Sequence, residues 1–105
     1  MTLKNINEFM IYDPARMTRQ VIYKEGKSQV FILNLMPGQK VPQHNHPNAH
    51  VYLLVVTGKG KCGIEESVFD IREGDAIHCS DEQMLSLENT GENNLSLYVV
   101  LTREA

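Results

Sequence analysis

The sequence predicts an all-β domain, a sandwich or barrel, from three observations. Apolar segments of strand length recur at intervals of roughly 6 to 12 residues, glycine-rich turns separate them, and no segment sustains a helical period. The clearest strands lie, in order, at residues 20–24, 29–36, 51–56, 60–64, 67–71, 76–79, 85–88 and 95–101. Glu25-Gly26-Lys27 turns the first into the second, and Pro37-Gly38 ends the second. Residues 51–56 are apolar at both parities, as expected of a strand covered on both faces. Thr57-Gly58-Lys59-Gly60 ends that strand, and Glu73-Gly74-Asp75 follows residues 67–71. Asn89-Thr90-Gly91-Glu92 precedes the last strand, where Leu95, Leu97, Val99 and Leu101 share one face and Ser96, Tyr98 and Val100 the other. Residues 13–17 predict one helical turn, because Asp13 is a good N-cap and Pro14 suits the first helical position.

Composition narrows the function classes. With 105 residues, 42% of them hydrophobic and 22% charged, residues 1–105 form one domain with one core, which excludes a two-domain enzyme with a closing cleft. A net charge of −3, from 10 basic and 13 acidic residues, supplies no field for a phosphate backbone, so no nucleic acid is expected as a partner. The longest apolar run is residues 51–56, far short of the roughly 18 residues a membrane span needs. The first eight residues hold no apolar signal region, so a cytoplasmic protein with no membrane partner is predicted. Cys62 and Cys79 stand in no CxxC pairing and read as reduced thiols.

Histidine is the anomaly. Three of the chain's 4 histidines, His44, His46 and His50, fall within seven residues, about ten times the density of the whole chain. His44 and His46 are two positions apart, so on an extended strand both side chains leave one face about 6.5 Å apart at Cα. Pro42 and Pro47 bias Val41 and His46 towards extended backbone. Pro47-Asn48 then turns the chain, and His50 opens the next strand, where it delivers a third nitrogen to the same point. Three neutral imidazoles on one side of an ion leave positions open for water or substrate. Such a set suits Zn, Fe, Ni or Cu. A solvated loop gains nothing from same-face imidazoles flanked by prolines, so His44, His46 and His50 are the candidate metal ligands. His78, between Ile77 and Cys79, points to the opposite face from both and reads as an interface or packing residue.

The run Gly38-Gln39-Lys40-Val41-Pro42-Gln43-His44-Asn45-His46-Pro47-Asn48-Ala49-His50, followed by Gly58, resembles the first motif of the cupin superfamily, G(x)5HxH(x)3-4E(x)6G. Gly74-Asp75 through Asn89-Thr90-Gly91 resembles the second, G(x)5PxG(x)2H(x)3N. The resemblance implies a jelly-roll barrel with a divalent transition metal, Fe, Mn, Ni or Zn, at its centre. It also carries the third ligand role to His50, which stands where the motif has Glu at its shorter spacing. The interval from His50 to Gly58 is one residue longer than that motif has. A β-bulge absorbs the extra residue and leaves open the side on which His50 points. In the second motif Ser80, Glu82 and Leu85 replace the expected Pro, Gly and metal-binding His. Leu85 and Leu87 are expected to face inward, and Cys79 with them, as a soft ligand or, the favoured reading, a small buried hydrophobe.

Two functions fit. One is a mononuclear metal enzyme of dioxygenase, isomerase or decarboxylase type acting on a small oxygen-rich substrate. The other is a non-catalytic cupin module that binds a metal or small ligand for sensing or interaction. No acid or base is nominated, since Glu65, Glu66, Asp70, Glu73 and Glu92 flank turns. One barrel interior cannot use both faces of residues 51–56, so a homodimer is expected.

Overall fold

The computed structural model describes residues 2–80 and 82–103; Met1, Asp81, Glu104 and Ala105 lie outside the described residues. Each predicted apolar segment is extended, because its alternating side chains bury one face while backbone groups pair sideways. The strands are β1 (Thr18–Glu25), β2 (Ser28–Leu35), β3 (Lys40–His44), β4 (Ala49–Thr57), β5 (Lys59–Ile64), β6 (Ser67–Arg72), β7 (Ala76–Cys79), β8 (Leu85–Glu88) and β9 (Leu95–Arg103). They form a five-stranded sheet of order β1-β2-β9-β4-β7 and a four-stranded sheet of order β3-β8-β5-β6. Neighbouring strands run antiparallel throughout.

The core lies between the two sheets. Phe31, Leu33 and Leu35 of β2, Val51, Leu53 and Val55 of β4, and Leu97, Val99 and Leu101 of β9 face Cys62 of β5 and Leu85 and Leu87 of β8. The predicted alternation in β9 is therefore the core face. In β4 the odd positions are buried, while Tyr52 and Leu54 remain 48% and 43% exposed on the outside.

Ser96, on the outer face of β9, is nevertheless fully buried. The N-terminal segment covers it, with a hydrogen bond between the hydroxyls of Tyr12 and Ser96. Ser96 donates to Asn34 Oδ1 at 2.8 Å, and Asn34 Nδ2 donates to the Phe9 carbonyl at 2.9 Å. A buried polar side chain without partners costs about 1–3 kcal/mol, so this chain of bonds fixes the segment on the β2–β9 half of the sheet. The β4–β7 half stays open.

Two local expectations change. Residues 13–17 form a turn rather than a helical turn: Asp13 Oδ1 accepts from the Ala15 amide at 2.8 Å and the Arg16 amide donates to the Asp13 carbonyl at 3.3 Å. The capping chemistry is as read, but pairing of β1 begins at Thr18 and leaves no residues to extend a helix. A short 3-10 helix forms instead at Ile6–Phe9, where the Asn5 side chain accepts from the Asn7 amide. The extra residue after His50 is absorbed late, where the β4–β9 register shifts between Val55 and Thr57. His50 therefore keeps the outward parity of Tyr52 and Leu54. Among the described residues no helix is long and apolar enough to cross a membrane.

Candidate metal centre

β3 runs to His44, whose partner across the sheet is Leu85, a side chain 2% exposed inside the barrel. The strand ends there. The chain then reaches His46 and turns: the Ala49 amide donates to the His46 carbonyl at 3.1 Å, with Asn48 in the left-handed region at φ 61°. The two-residue spacing still brings the imidazoles together. Their rings stand edge to face, 4.4 Å between centroids, and their Nε2 atoms are 3.0 Å apart. His44 Nδ1 lies 2.8 Å from the Pro42 carbonyl, which can only accept, so His44 carries its proton on Nδ1 and a lone pair on Nε2. His46 Nδ1 is buried without a hydrogen-bond partner.

The surroundings are cationic. Burial lowers the His46 pKa below its ordinary value of 6.5, and the charges of His44, Arg103 and Arg19 lower it further. Arg103 continues the inward alternation of β9 one step past Leu101, opposite Ala49, and donates to the Pro47 carbonyl at 3.3 Å. Arg19 pairs with Leu33 across β1–β2, lays its guanidinium 3.9 Å above the Phe31 ring and donates to Gln29 Oε1 at 2.6 Å. Among the described residues neither arginine meets a carboxylate; the ion pair found is Lys61–Asp70, on the other sheet. Two imidazoles and two guanidiniums thus gather at one end of the barrel.

His50 is not among them. Its Nδ1 lies 3.0 Å from Nε2 of His78, on the outer face of β4 and β7. The expected convergence of His44, His46 and His50 therefore becomes a pair inside and a pair outside, because the bulge falls downstream of His50. Among the described residues no three His, Cys, Asp or Glu side chains are placed to share one ion. His78 takes the outward side that alternation assigns it. Cys79 is buried with its thiol directed at the Ser80 and Gln83 carbonyls, 3.7 and 3.8 Å away. Burial raises its pKa and pushes the Cys62 thiol up to about 11, so both behave as small hydrophobes. Asn89 is structural: its Nδ2 donates to the Leu35 and Asn93 carbonyls at 2.8 and 2.9 Å.

Sequence reasoning passed over Arg19 and Arg103. The signal for Arg103 was present, as the next member of the series Leu95, Leu97, Val99, Leu101. For Arg19 it was obscured by the register shift between Val21 and Tyr23.

The lowered His46 pKa has a consequence for stability. As pH falls below 6.5 the unfolded chain takes up a proton at this ring that the folded chain still refuses, so stability drops until the folded pKa is passed. Thermal melts between about pH 7.5 and 5.5 are expected to show a fall in wild type that is shallower in His46→Gln. An identical slope in the two would remove His46 as its source.

The chain matches the cupin domain over residues 31–101. A Klebsiella pneumoniae subsp. pneumoniae protein with a double-stranded β-helix domain superposes with a TM-score of 0.91 at 19% identity, covering 98% of this chain and 90% of that one. A Thermus thermophilus protein gives a TM-score of 0.93 at 18% identity, covering 100% of both chains. A Thermotoga maritima protein described as a predicted oxalate decarboxylase gives 0.69 at 19% identity, over 90% of this chain and 100% of that one. At such identities the likeness is one of fold. No curated protein matches the chain in sequence. With the family match spanning most of the two-sheet barrel and its histidine-bearing turn, the chain belongs to the cupin-domain family.

Proposed function

We propose that this cupin holds a divalent transition-metal ion, Fe, Mn, Ni or Zn, between the Nε2 atoms of His44 and His46 and binds a small oxygen-rich anion beside it. The observation that carries the proposal is the 3.0 Å approach of the two nitrogens. Two ligands each about 2.0–2.1 Å from one ion stand about 2.9–3.4 Å apart at angles between square and tetrahedral. The donor set fits: the Pro42 carbonyl fixes the His44 tautomer that frees Nε2, as outer hydrogen bonds do for metal-binding imidazoles. When bound, the ion supplies Lewis acidity and orientation for a ligand oxygen. Arg19 and Arg103 contribute positive charge for the anion, and Phe31 and Leu85 wall the site with apolar surface.

Since no third His, Cys, Asp or Glu among the described residues joins the pair, the ion's remaining positions fall to water and ligand. That favours a binding module, whose ion and anion arrive together, over a permanently charged enzyme centre. The enzyme reading, of dioxygenase, isomerase or decarboxylase type, draws its support from the Thermotoga maritima neighbour's description. Both predict that metal-free protein takes up one of these ions in the barrel and that a small dicarboxylate tightens the uptake. Failure of all four ions to bind at His44 and His46 would overturn both.

The two-sided β4 further supports a homodimer, with a second copy covering the outer face at Leu54, Tyr98 and Val100. Light scattering is expected to give about twice the monomer mass and Leu54→Glu to halve it; a wild-type mass near 11.9 kDa would contradict pairing. The two buried free thiols suit the cytoplasm.

A further inference from the structure

The imidazoles that miss the barrel interior form one hydrogen-bonded unit. His50 on β4 and His78 on β7 lie on adjacent strands, with Tyr52 directly opposite His78 and His50 on the diagonal. Their ring planes differ by 12°, their centroids are 5.2 Å apart, and His50 Nδ1 lies 3.0 Å from His78 Nε2. The rings therefore meet edge to edge and share one N–H···N bond. One nitrogen donates and the other accepts, so at least one ring is neutral while the bond exists. Tyr52 lies against His78 with ring centroids 4.8 Å apart. His78, Tyr52, Leu54, Ala76, Tyr98 and Val100 line an apolar depression of about 380 Å3 on the open half of the sheet. Among the described residues that line it there is no Asp, Glu, Lys or Arg.

We propose that this histidine pair is a proton-sensitive gate on the pairing of two copies: the outer faces dock while the pair is neutral and separate as acid charges it. The inference rests on the homodimer reading above and adds its control. A two-fold axis sets this face against itself, and a face without formal charge is complementary to itself. One added proton leaves an imidazolium–imidazole bond but places a charge on each copy's side of the contact. A second removes the acceptor and leaves two cations at hydrogen-bond distance. Docking desolvates these charges and brings those of two copies together, so the dimer refuses protons that the free monomer takes up. Affinity is therefore full above the range in which imidazoles charge and falls as pH drops through it. The other ionisable groups around the pair are Tyr52 on β4, Asp70 on β6 and Asp75 before β7, the last two lining with His78 the cleft between β6 and β7. Asp70 is engaged by Lys61 and Asp75 by the Arg72 amide. β9 contributes Thr102, opposite His50, which carries no charge. Of the side-chain types gathered here, imidazole is the one whose charge ordinarily changes between about pH 5 and 8.

Sedimentation equilibrium of the metal-free protein at about pH 7.5 and 5.5 tests the gate. Wild type is expected to be a dimer at the higher pH, with a dissociation constant more than about tenfold larger at the lower. A variant carrying both His50→Gln and His78→Gln keeps a polar, uncharged pair and is expected to shift less than about threefold. His46→Gln is expected to respond as wild type does, which separates the gate from the stability loss at that ring. Wild type alone supplies a second readout: because dimer and proton compete, the midpoints of the His50 and His78 ring-proton titrations should move to lower pH as protein concentration rises. A wild-type dimer indifferent to pH, midpoints indifferent to concentration, or acid dissociation undiminished in the double variant would overturn the gate and leave the homodimer standing. A wild-type monomer at the higher pH would overturn the homodimer itself, and the gate with it.

Discussion

Gly60→Ala is expected to cost the domain at least about 3 kcal/mol, a large share of the roughly 5–15 kcal/mol that holds a domain of this size together. A Cβ at this position would overlap the Glu88 carbonyl oxygen and press on Leu95 Cδ2. Neither neighbour can withdraw. Glu88 is tied into β8 opposite Lys61 and Lys40, and Leu95 is fully buried at the start of β9. Gly60 is thus a close crossing, where the backbone of β5 lies against the Glu88 carbonyl of β8 and the Leu95 side chain of β9. Gly26→Ala is the control, because Gly26 has positive φ but open space around it. It pays backbone strain alone, about 1 kcal/mol. In thermal melts Gly60→Ala should lie more than about 10 °C below wild type and well below Gly26→Ala. Equal losses would mean that no close crossing exists at Gly60.

The second expectation is loss of metal-dependent stabilisation in His46→Ala. An ion bound at a hundred times its dissociation constant raises stability by about 2.7 kcal/mol, close to 10 °C or more in melting temperature for a chain of this length. In wild type, added Zn2+ or Ni2+ should produce a rise of this order. His44→Ala and His46→Ala should each abolish it. Without metal the sign is different: His46 is a desolvated ring with an unpartnered Nδ1, so its removal relieves one cost while opening some space. The metal-free variant is expected to stay within about 1 kcal/mol of its parent. A large destabilisation without metal would make His46 a packing residue instead of a ligand.

Much of this was legible in the sequence because it depends on neighbours along the chain. The strand positions follow from apolar alternation and from Pro and Gly, and the meeting of His44 with His46 follows from a spacing of two at the point where β3 ends and the chain turns. Cys79 and Leu85 face inward for the same reason. What failed depends on pairing between distant strands. The side on which His50 points is decided by a register shift at Val55 and Thr57, set by contact with β9 rather than by any residue near His50. The turn at residues 13–17 has correct local capping, but β1 pairing cuts it short. Burial of Ser96 comes from Tyr12, 84 positions away, and has no local signal. The charge at the barrel mouth comes from Arg19 and Arg103 at opposite ends of the sequence, joined only by the fold.

The decisive measurement is metal binding at the barrel in a His50→Ala variant. Ni2+ broadening of the His44, His46 and Leu85 amides should persist with an affinity within about threefold of wild type, as required if two imidazoles alone hold the ion. Loss of that broadening as complete as in His46→Ala would make His50 the third ligand and contradict the two-imidazole site.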